Sequence, residues 1–277
     1  MYSYKFKIFH SPCLLVFHAS TKAFADEVAG IIYQHAKRLE ERYSFFAEES
    51  ELSRINTRKK RCVIVSDELA GLLAISKFYY KKTFRCFDVA YAGTIYDCVK
   101  ANSMQEYQRR CELLLPYARF SHLWLDGKML EFSNDYTKID LGGLVKEYAV
   151  DQSILLFKYL NIKSALVDFG GDVSVFGSYD GDKWKIGIED PNRNRHNLVS
   201  ISLDRGAICT SGNSKSFYMI GDTKVSHILS RNKNLYEQVS VVAPTAVDAG
   251  IWSTSLLIDG NLTLPKHIDI ISLVNHG

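Results

Sequence analysis

Several features that would assign this chain to a specialised class of protein are missing. No apolar run approaches the roughly 20 residues of a membrane-spanning helix, so we expect no membrane insertion. The six cysteines are scattered without a C-x-x-C pair or zinc-type spacing, which favours reduced thiols over a disulfide framework. The opening MYSYKFKIFHSPCLLVFHAS alternates like a strand and lacks the apolar core of a signal peptide. We therefore expect a cytoplasmic protein.

An excess of charge of one sign is also missing. Thirty-four Lys and Arg against 31 Asp and Glu give a net charge of +3. The densest basic run, TRKKR at 57–61, is interpreted as a solvated loop in preference to a nucleic-acid-binding patch, and no nucleic-acid partner is expected. The 277 residues are 47% hydrophobic and 23% charged, as in a soluble globular protein. Because no linker or repeat interrupts them, we predict a single domain over 1–277.

The order of the patterned segments predicts an α+β fold with a largely antiparallel sheet. Helices are predicted at 21–46, 66–82, 104–115 and 143–160. Strands are predicted as a pair within 4–18, a hairpin at 122–133 turning at Asp126-Gly127, a strand ending at Ile139, a pair joined through Gly170-Gly171-Asp172, and further strands at 184–189, 197–210, 224–229, 236–243 and 266–274. Ser66 is the predicted cap of the second helix.

The stretch IDLGGLVKEYAVD, residues 139–151, is the first candidate site. It places Asp140 and two glycines directly before a helix. Free N–H groups and the positive end of the helix would favour an anion there, with Lys146 one turn in. The alternative is an ordinary strand-to-helix turn that Asp140 caps.

Three other features are ambiguous when taken alone. Gly170-Gly171-Asp172 and Thr210-Ser211-Gly212 are either tight turns or ligand contacts, and His227 is either a sheet histidine or a site residue. Their order along the chain, together with the first motif, favours a common site.

Read in order, these segments resemble the FAD:protein FMN transferases, the ApbE-type flavin transferases. SFFAEESELSRIN at 44–56 resembles the family's S-x-Y-x-x-x-S-E-L-S-R-x-N segment, and FRCFDVAYAG at 84–93 its G-A-F-D stretch. IDLGGLVKEYAVD resembles D-L-G-G-I-A-K-G-Y-A-V-D nearly residue for residue. The later blocks follow in the family's order: VDFGGDVSVFG, WKIGIEDP, ICTSGNSKSFY, VSHIL, VVAPTA and WSTSLL.

The resemblance implies a T-fold-like core that binds FAD in a cleft near a divalent metal, normally Mg²⁺. Such enzymes cleave FAD, attach FMN to a Ser or Thr hydroxyl of an acceptor flavoprotein, and release AMP. The residues that it implicates in FAD binding are Phe46, Cys86, Phe87, Asp88, Asp140, Lys146 and Ile228. It implicates His227 and Lys146 in catalysis, and Gly143, through its carbonyl, and Thr254 as metal ligands.

This chain differs from the family pattern mainly at positions that the resemblance assigns to metal or FAD binding. After His227-Ile228-Leu229 the family continues D-P-x-T-G, but this chain has Ser230-Arg231-Asn232-Lys233-Asn234. The family's metal-ligating aspartate, four residues before Thr254, is Gly250 here, and Asp248 is the expected substitute if the local backbone allows it. Glu147 replaces a glycine after Lys146, and Arg85 replaces a glycine before Cys86.

Four functions therefore remain open from the sequence. The first is an active flavin transferase, and the second is an FAD-binding protein that has lost transfer. The third is a metal-dependent FAD pyrophosphatase in which water replaces the acceptor hydroxyl. The fourth is a protein-interaction module without a ligand.

Overall fold

The computed structural model describes residues 1–193, 196–213, 217–229 and 236–275. Its α-helices are α1 (Lys22–Tyr43), α2 (Glu51–Asn56), α3 (Asp67–Lys82), α4 (Val89–Ile95), α5 (Met104–Leu114), α6 (Val145–Tyr159) and α7 (Ala246–Ile258). Its strands are β1 (Tyr2–Ile8), β2 (Ser11–Phe17), β3 (Cys62–Ile64), β4 (Leu123–Asp126), β5 (Met129–Phe132), β6 (Ala165–Phe169), β7 (Asp172–Phe176), β8 (Trp184–Glu189), β9 (Asn197–Leu203), β10 (Arg205–Gly212), β11 (Phe217–Ile220), β12 (Thr223–Ser226), β13 (Tyr236–Ala243) and β14 (Asp269–Asn275).

Seven strands form a central sheet in the order β1-β2-β6-β7-β10-β13-β14, and every neighbouring pair is antiparallel. One face packs against α6 and α7, where Phe17 and Phe157 meet with ring centroids 4.7 Å apart. The other face is covered by the β8–β9 hairpin, which buries Trp184 and Ile186 against Val175. The predicted α+β fold with a largely antiparallel sheet is confirmed.

Local sequence signals account for most of these elements. Ser66 caps α3 as predicted, because its hydroxyl accepts a hydrogen bond from Leu69 N at 3.1 Å. The predicted hairpin turns at Gly127, whose φ of +55° favours glycine. In the part of the chain that the structure describes, no helix is long and apolar enough to cross a membrane.

One predicted strand is wrong. Residues 137–140 form no regular secondary structure and belong to no sheet. Their backbone is bound by side chains instead: Ile139 N donates to Asn56 Oδ1 at 2.8 Å, and Lys138 N donates to Thr94 Oγ1 at 3.0 Å. A buried segment anchored by side chains can show the same apolar pattern as a strand, so the sequence does not distinguish the two.

Helices α6 and α7 lie side by side and run in opposite directions. Asp151 on α6 accepts hydrogen bonds from Ala246 N at 2.8 Å and Val247 N at 3.0 Å, at the start of α7. One turn earlier on the same face of α6, Glu147 lies against Gly250. Asp151 therefore fixes the position of α7 relative to α6, and through α7 the position of Thr254.

Asp151 should make the protein less stable as the pH rises from about 4 to about 6. Burial raises the pKa of Asp151 from 3.8 to about 6, with a further contribution from Asp248, although the N–H groups of Val247 and Ala246 and the charge of Lys158 act in the opposite direction. Because the folded state binds this proton more tightly, the stabilisation is complete below pH 3.8 and is lost as the pH rises through 6, by about 3 kcal/mol.

Urea unfolding of the wild type and D151N at several pH values tests this expectation. The substitution removes the titrating group, so the decline in unfolding free energy across this window should be smaller in D151N, whatever the effect of the lost acceptor on its overall stability. Parallel curves for the two proteins would contradict the assignment.

Candidate active site

A cleft of about 870 Å³ opens where α6 begins, beside the turn between β6 and β7 and the end of β10. Ten of the eleven residues that the sequence implicates line it: Phe46, Cys86, Phe87, Asp88, Asp140, Gly143, Lys146, His227, Ile228 and Thr254. Asp248 does not. The fold thus brings together residues from distant parts of the chain into a single concave surface.

The N-terminal end of α6 forms the first wall of the cleft. Asp140 accepts a hydrogen bond from Gly142 N at 2.8 Å, which closes a tight turn before the helix. The N-cap position itself is Leu144, whose side chain makes no capping hydrogen bond. Asp140 is therefore not the cap of α6, and the N-cap residue of the helix offers no side-chain acceptor at this end of the cleft. Backbone N–H groups left free at a helix N-terminus favour an anion.

Lys146 is the cation at this wall. Its Nζ lies 2.7 Å from Asp172 Oδ2, in an ion pair that is not aligned as a hydrogen bond. Burial lowers the pKa of Lys146, but the carboxylates of Asp172 and Glu147 more than reverse this effect, so its pKa is raised. Lys146 is therefore charged at neutral pH and suits an anionic ligand rather than proton abstraction.

The turn between β6 and β7 packs directly beneath this ion pair. Gly170 has φ +67°, and a Cβ there would lie 2.5 Å from Ser11 Cβ. Gly171, at φ +94°, donates its N–H to Asp168 Oδ1 at 2.8 Å. Both positions require glycine, and they bring Asp172 up to Lys146.

Glu147 is the most unusual group in the cleft. Its residue is only 7% exposed, and its Oε2 has no hydrogen-bond partner. A Cβ added at Gly250 would lie 2.6 Å from Glu147 Cγ and 3.0 Å from its Oε1. Glu147 therefore fills the space that a side chain at position 250 would occupy. Burial and the neighbouring Asp172 raise the pKa of Glu147, while Lys146 partly offsets them.

Two hydroxyl residues, Ser211 and Thr254, line the same cleft as Glu147. Thr254 is one helical turn after Gly250 on the same face of α7. Its Oγ1 is 2.8 Å from Ser211 Oγ on β10, which is also 2.8 Å from Ser253 Oγ. Ser253 Oγ donates to the carbonyl of Gly250 at 3.0 Å. Ser211 belongs to the Thr210-Ser211-Gly212 segment that the sequence marks as a possible ligand contact, whereas Glu147 stands out in the sequence only as a departure from the family pattern.

Asp248 lies away from these groups, because residues 246–258 are helical and positions 248 and 254 project from different faces. Its carboxylate accepts hydrogen bonds from Tyr79 Oη and, at 3.1 Å, from Thr245 Oγ1. Asp248 N in turn donates to Thr245 Oγ1 at 3.1 Å. The local backbone shift that would bring Asp248 to Thr254 is therefore not present. Asp248 lies in the first turn of α7, where its contacts are with Tyr79 and Thr245.

The opposite rim of the cleft is aromatic. Phe46 is 65% exposed, and its ring lies edge-on to Tyr96 at 5.3 Å between centroids. Tyr96 in turn contacts Tyr218 at 5.9 Å. An aromatic ring left this open to solvent suits the binding of a flat heteroaromatic ligand. No local signal in the sequence linked Tyr96 or Tyr218 to the site.

The segment from Cys86 to Asp88 forms the wall between the rim and α6. Asp88 caps α4, because its Oδ1 accepts from Ala90 N at 3.0 Å and Tyr91 N at 3.1 Å. Its Oδ2 accepts from Phe120 N at 3.3 Å. Burial raises the pKa of Cys86 to about 11, with a further contribution from Asp259, so this thiol is not a thiolate nucleophile.

His227 and Ile228 lie at the lip of the cleft, just after β12. Ile228 N donates to Ser226 Oγ at 3.0 Å, and that hydroxyl lies 2.6 Å from Asn213 Oδ1. This links the histidine segment to the end of β10. The predicted departure Ser230-Arg231-Asn232-Lys233-Asn234 lies outside the described residues, as do positions 214–216.

The donor atoms of the cleft fit a hard divalent cation. Mg²⁺ prefers oxygen ligands, and the cleft offers the unpartnered Glu147 Oε2, the Thr254 hydroxyl and the backbone at Gly143. Over the described ranges, no three or more His, Cys, Asp or Glu side chains cluster as a metal site would. A metal here would therefore need hydroxyl, carbonyl or substrate oxygens in addition to carboxylate.

A model of the ApbE family matches residues 5–269, which is nearly the whole chain. The chain belongs to the ApbE family. This confirms the resemblance inferred from the ordered motifs.

Curated ApbE relatives carry the name FAD:protein FMN transferase. One from Salmonella typhimurium is 30% identical over 130 residues, which is 44% of this chain. That alignment covers only 37% of the relative's length. A Klebsiella pneumoniae protein of the same name is 24% identical over 275 residues, covering 92% of this chain and 82% of the relative. The similarity is thus strongest in one part of the chain but extends along most of it.

Solved ApbE structures share the fold. The ApbE protein from Thermotoga maritima superposes with a TM-score of 0.82 at 23% identity, covering 93% of this chain and 86% of that one. The flavin transferase ApbE from Vibrio cholerae superposes with a TM-score of 0.77 at 17% identity, covering 99% and 97%.

Two residues at which this chain differs from the ApbE motif pattern lie next to each other in the fold. Glu147 stands where the pattern has glycine, and Gly250 stands where it has aspartate. The structure places these two positions against each other across the α6–α7 contact.

Proposed function

We propose that this ApbE-family protein is an FAD:protein FMN transferase. It would cleave FAD, attach FMN to a Ser or Thr hydroxyl of an acceptor flavoprotein, and release AMP with the help of Mg²⁺. The observation that carries the proposal is one cleft that combines an exposed aromatic rim at Phe46 with a helix N-terminus and the charged Lys146. A flavin ring would pack on the former, and a pyrophosphate would bind at the latter.

In the proposed reaction, the acceptor hydroxyl oxygen bonds to the phosphorus of the FMN half of FAD. The bond from that phosphorus to the bridging oxygen breaks, and its electron pair leaves with AMP. Lys146 and the N-terminal end of α6 would bind the pyrophosphate and stabilise the charge that develops on it. His227, at the lip where an acceptor would approach, is the proposed recipient of the hydroxyl proton.

A divalent cation, when bound, would neutralise phosphate charge and polarise the bond that breaks. The Gly143 carbonyl and the Thr254 hydroxyl are the proposed protein ligands that follow from the family pattern. Asp248 is not proposed as a ligand, because its carboxylate is bound by Tyr79 and Thr245 outside the cleft.

The test is incubation with FAD, Mg²⁺ and a candidate acceptor flavoprotein. We expect an acceptor band that retains flavin fluorescence under denaturing conditions, together with one AMP per flavin attached. FAD bound without release of AMP would replace the proposal with a binding role, and release of both AMP and free FMN without acceptor would replace it with FAD hydrolysis. Hydrolysis is the second candidate, because the open cleft also admits water at the position of the acceptor hydroxyl.

Phe46→Ala should weaken FAD binding by about 1 to 2 kcal/mol, since base–aromatic stacking is of that size. It should leave the unfolding temperature unchanged, because the ring is mostly exposed. Titration of FAD, followed by the quenching of its fluorescence, measures the effect. Phe78→Ala is the matched control: Phe78 is 53% exposed and lies outside the cleft. Equal affinities for F46A and F78A would remove Phe46 from the flavin site.

A further inference from the structure

We infer that Glu147 is the carboxylate ligand of a divalent cation bound in the cleft, in place of any aspartate on α7. The inference rests on the proposed function for the role of that cation, but its structural basis is independent of it. That basis is the burial of the Glu147 carboxylate and the contacts that it makes.

The first observation is that the buried Glu147 carboxyl, which lies beside Asp172, has one oxygen without a hydrogen-bond partner. Its residue is 7% exposed and its Oε2 receives no hydrogen bond, yet it lines the cleft. A buried carboxylate without compensation is costly, and side chains in this state are found where a proton or a cation completes their coordination. Lys146 does not supply the missing partner, because its Nζ is paired with Asp172.

The second observation is that the space around Glu147 is shaped by Gly250. A Cβ at position 250 would lie 2.6 Å from Glu147 Cγ, so the two positions cannot both carry extended side chains. The carboxylate that reaches this point from α6 therefore substitutes spatially for one that would reach it from α7. A carboxylate can therefore be supplied to this point in the cleft either from position 147 or from position 250, and this chain supplies it from position 147.

The third observation is that other oxygen donors line the same cleft. Thr254 lies on the same face of α7 as Gly250, and Gly143 lies in the turn just ahead of α6. Both line the cleft with Glu147. A carboxylate, a hydroxyl and a backbone carbonyl, with the remaining positions left to water and phosphate, form the ligand set that Mg²⁺ accepts.

The competing ligand is Asp248, and its contacts argue against it. Its two carboxylate oxygens already accept hydrogen bonds from Tyr79 and Thr245, and it does not line the cleft. The two assignments make opposite predictions for the same measurement, which allows a direct test.

The experiment titrates purified protein with Mn²⁺ and measures free Mn²⁺ by electron paramagnetic resonance, first alone and then with ADP present. For the wild type we expect one bound Mn²⁺. For E147Q we expect a dissociation constant raised roughly tenfold to hundredfold, since a charged ligand is lost while its shape is kept. For D248N we expect a constant close to that of the wild type.

A reciprocal exchange gives the sharpest control. E147G alone should bind Mn²⁺ as weakly as E147Q, whereas the double variant E147G/G250D should recover binding, because the carboxylate is returned to the same space from α7. Thermal unfolding provides an independent readout: Mn²⁺ should raise the unfolding temperature of the wild type and of the double variant, but not that of E147Q.

Three results would overturn the inference: E147Q binding Mn²⁺ like the wild type, D248N losing the ion while E147Q keeps it, or no binding by the wild type in either condition. The flavin-transfer assay separates this outcome from the proposed function. Mn²⁺ binding that depends on Glu147 without any transfer would leave the metal assignment standing and remove the transferase. If the wild type transfers FMN and E147Q binds metal as the wild type does, the transferase would stand and the metal assignment to Glu147 would fall.

Discussion

Replacing Lys146 with methionine should lower the rate of AMP release from FAD by about 10²- to 10³-fold, the loss expected when one preorganised electrostatic group is removed from a transition state. Lys146 is charged and buried beside the open end of α6, so its field acts on a bound phosphate with little screening by water. Methionine keeps much of the length and the apolar stem of the side chain but cannot carry the charge. Single-turnover release of AMP measures the effect.

The single variant has a second consequence that must be separated from the first. Asp172 is only 4% exposed, and Lys146 is the cation that balances it. Breaking such a pair from one side leaves an uncompensated buried charge, which typically costs about 3 to 5 kcal/mol. K146M should therefore also unfold at a clearly lower urea concentration than the wild type.

The double variant K146M/D172N resolves the two effects. Removing both charges should restore most of the stability, because an uncharged buried pair has no unbalanced charge to desolvate. It should not restore AMP release, since the cation proposed to bind the pyrophosphate is still absent. Recovery of turnover together with stability would show that Lys146 acts only through the fold.

The residues at the α6 end of the cleft could be predicted from sequence because they lie in continuous motifs. IDLGGLVKEYAVD predicts a helix from about residue 143 with Lys146 one turn in. The structure confirms the helix but begins it at Val145, so Lys146 lies within its first turn. The turn at Gly170 and Gly171 was equally local, since glycine is the residue that tolerates their positive φ.

What could not be predicted depends on contacts between distant segments. The spacing of the chain predicts Asp248 as a substitute metal ligand, but the helical geometry of α7 turns it away from Thr254 and towards Tyr79. Glu147 looked like a simple loss of glycine, and only the α6–α7 contact shows that it occupies the space beside Gly250. Likewise, nothing local marks Tyr96 and Tyr218 as neighbours of Phe46, because their rings meet only in the folded chain.

Gly93→Ala should be among the most destabilising single substitutions in the molecule, although it adds one methyl group. A Cβ at Gly93 in α4 would lie 2.6 Å from the carbonyl carbon of Ile139 and 2.7 Å from Asp140 N. Both are backbone atoms, so no side-chain rotation relieves the contact. We expect a loss of about 3 kcal/mol in the free energy of unfolding, at the upper end for overpacking, in spite of the higher helix propensity of alanine.

The segment that would have to move is fixed on several sides. Asp140 N donates to the carbonyl of Val89 at 2.9 Å, and Ile139 O accepts from Asn56 Nδ2 at 2.7 Å. Moving it would break such bonds and shift Asp140 at the wall of the cleft. G93A that still folds should therefore also bind FAD more weakly, which a fluorescence titration measures.

Gly71→Ala supplies the matched control. Gly71 is also helical, in α3, but a Cβ there meets nothing within 4 Å. The same substitution should stabilise the protein there by up to about 1 kcal/mol, because alanine loses less conformational entropy in a helix, and FAD affinity should not change. Urea unfolding therefore tests whether the change in unfolding free energy has opposite signs in the two variants. If G93A matched G71A in stability and in FAD affinity, the close packing of α4 on residues 138–140 would not be what positions Asp140.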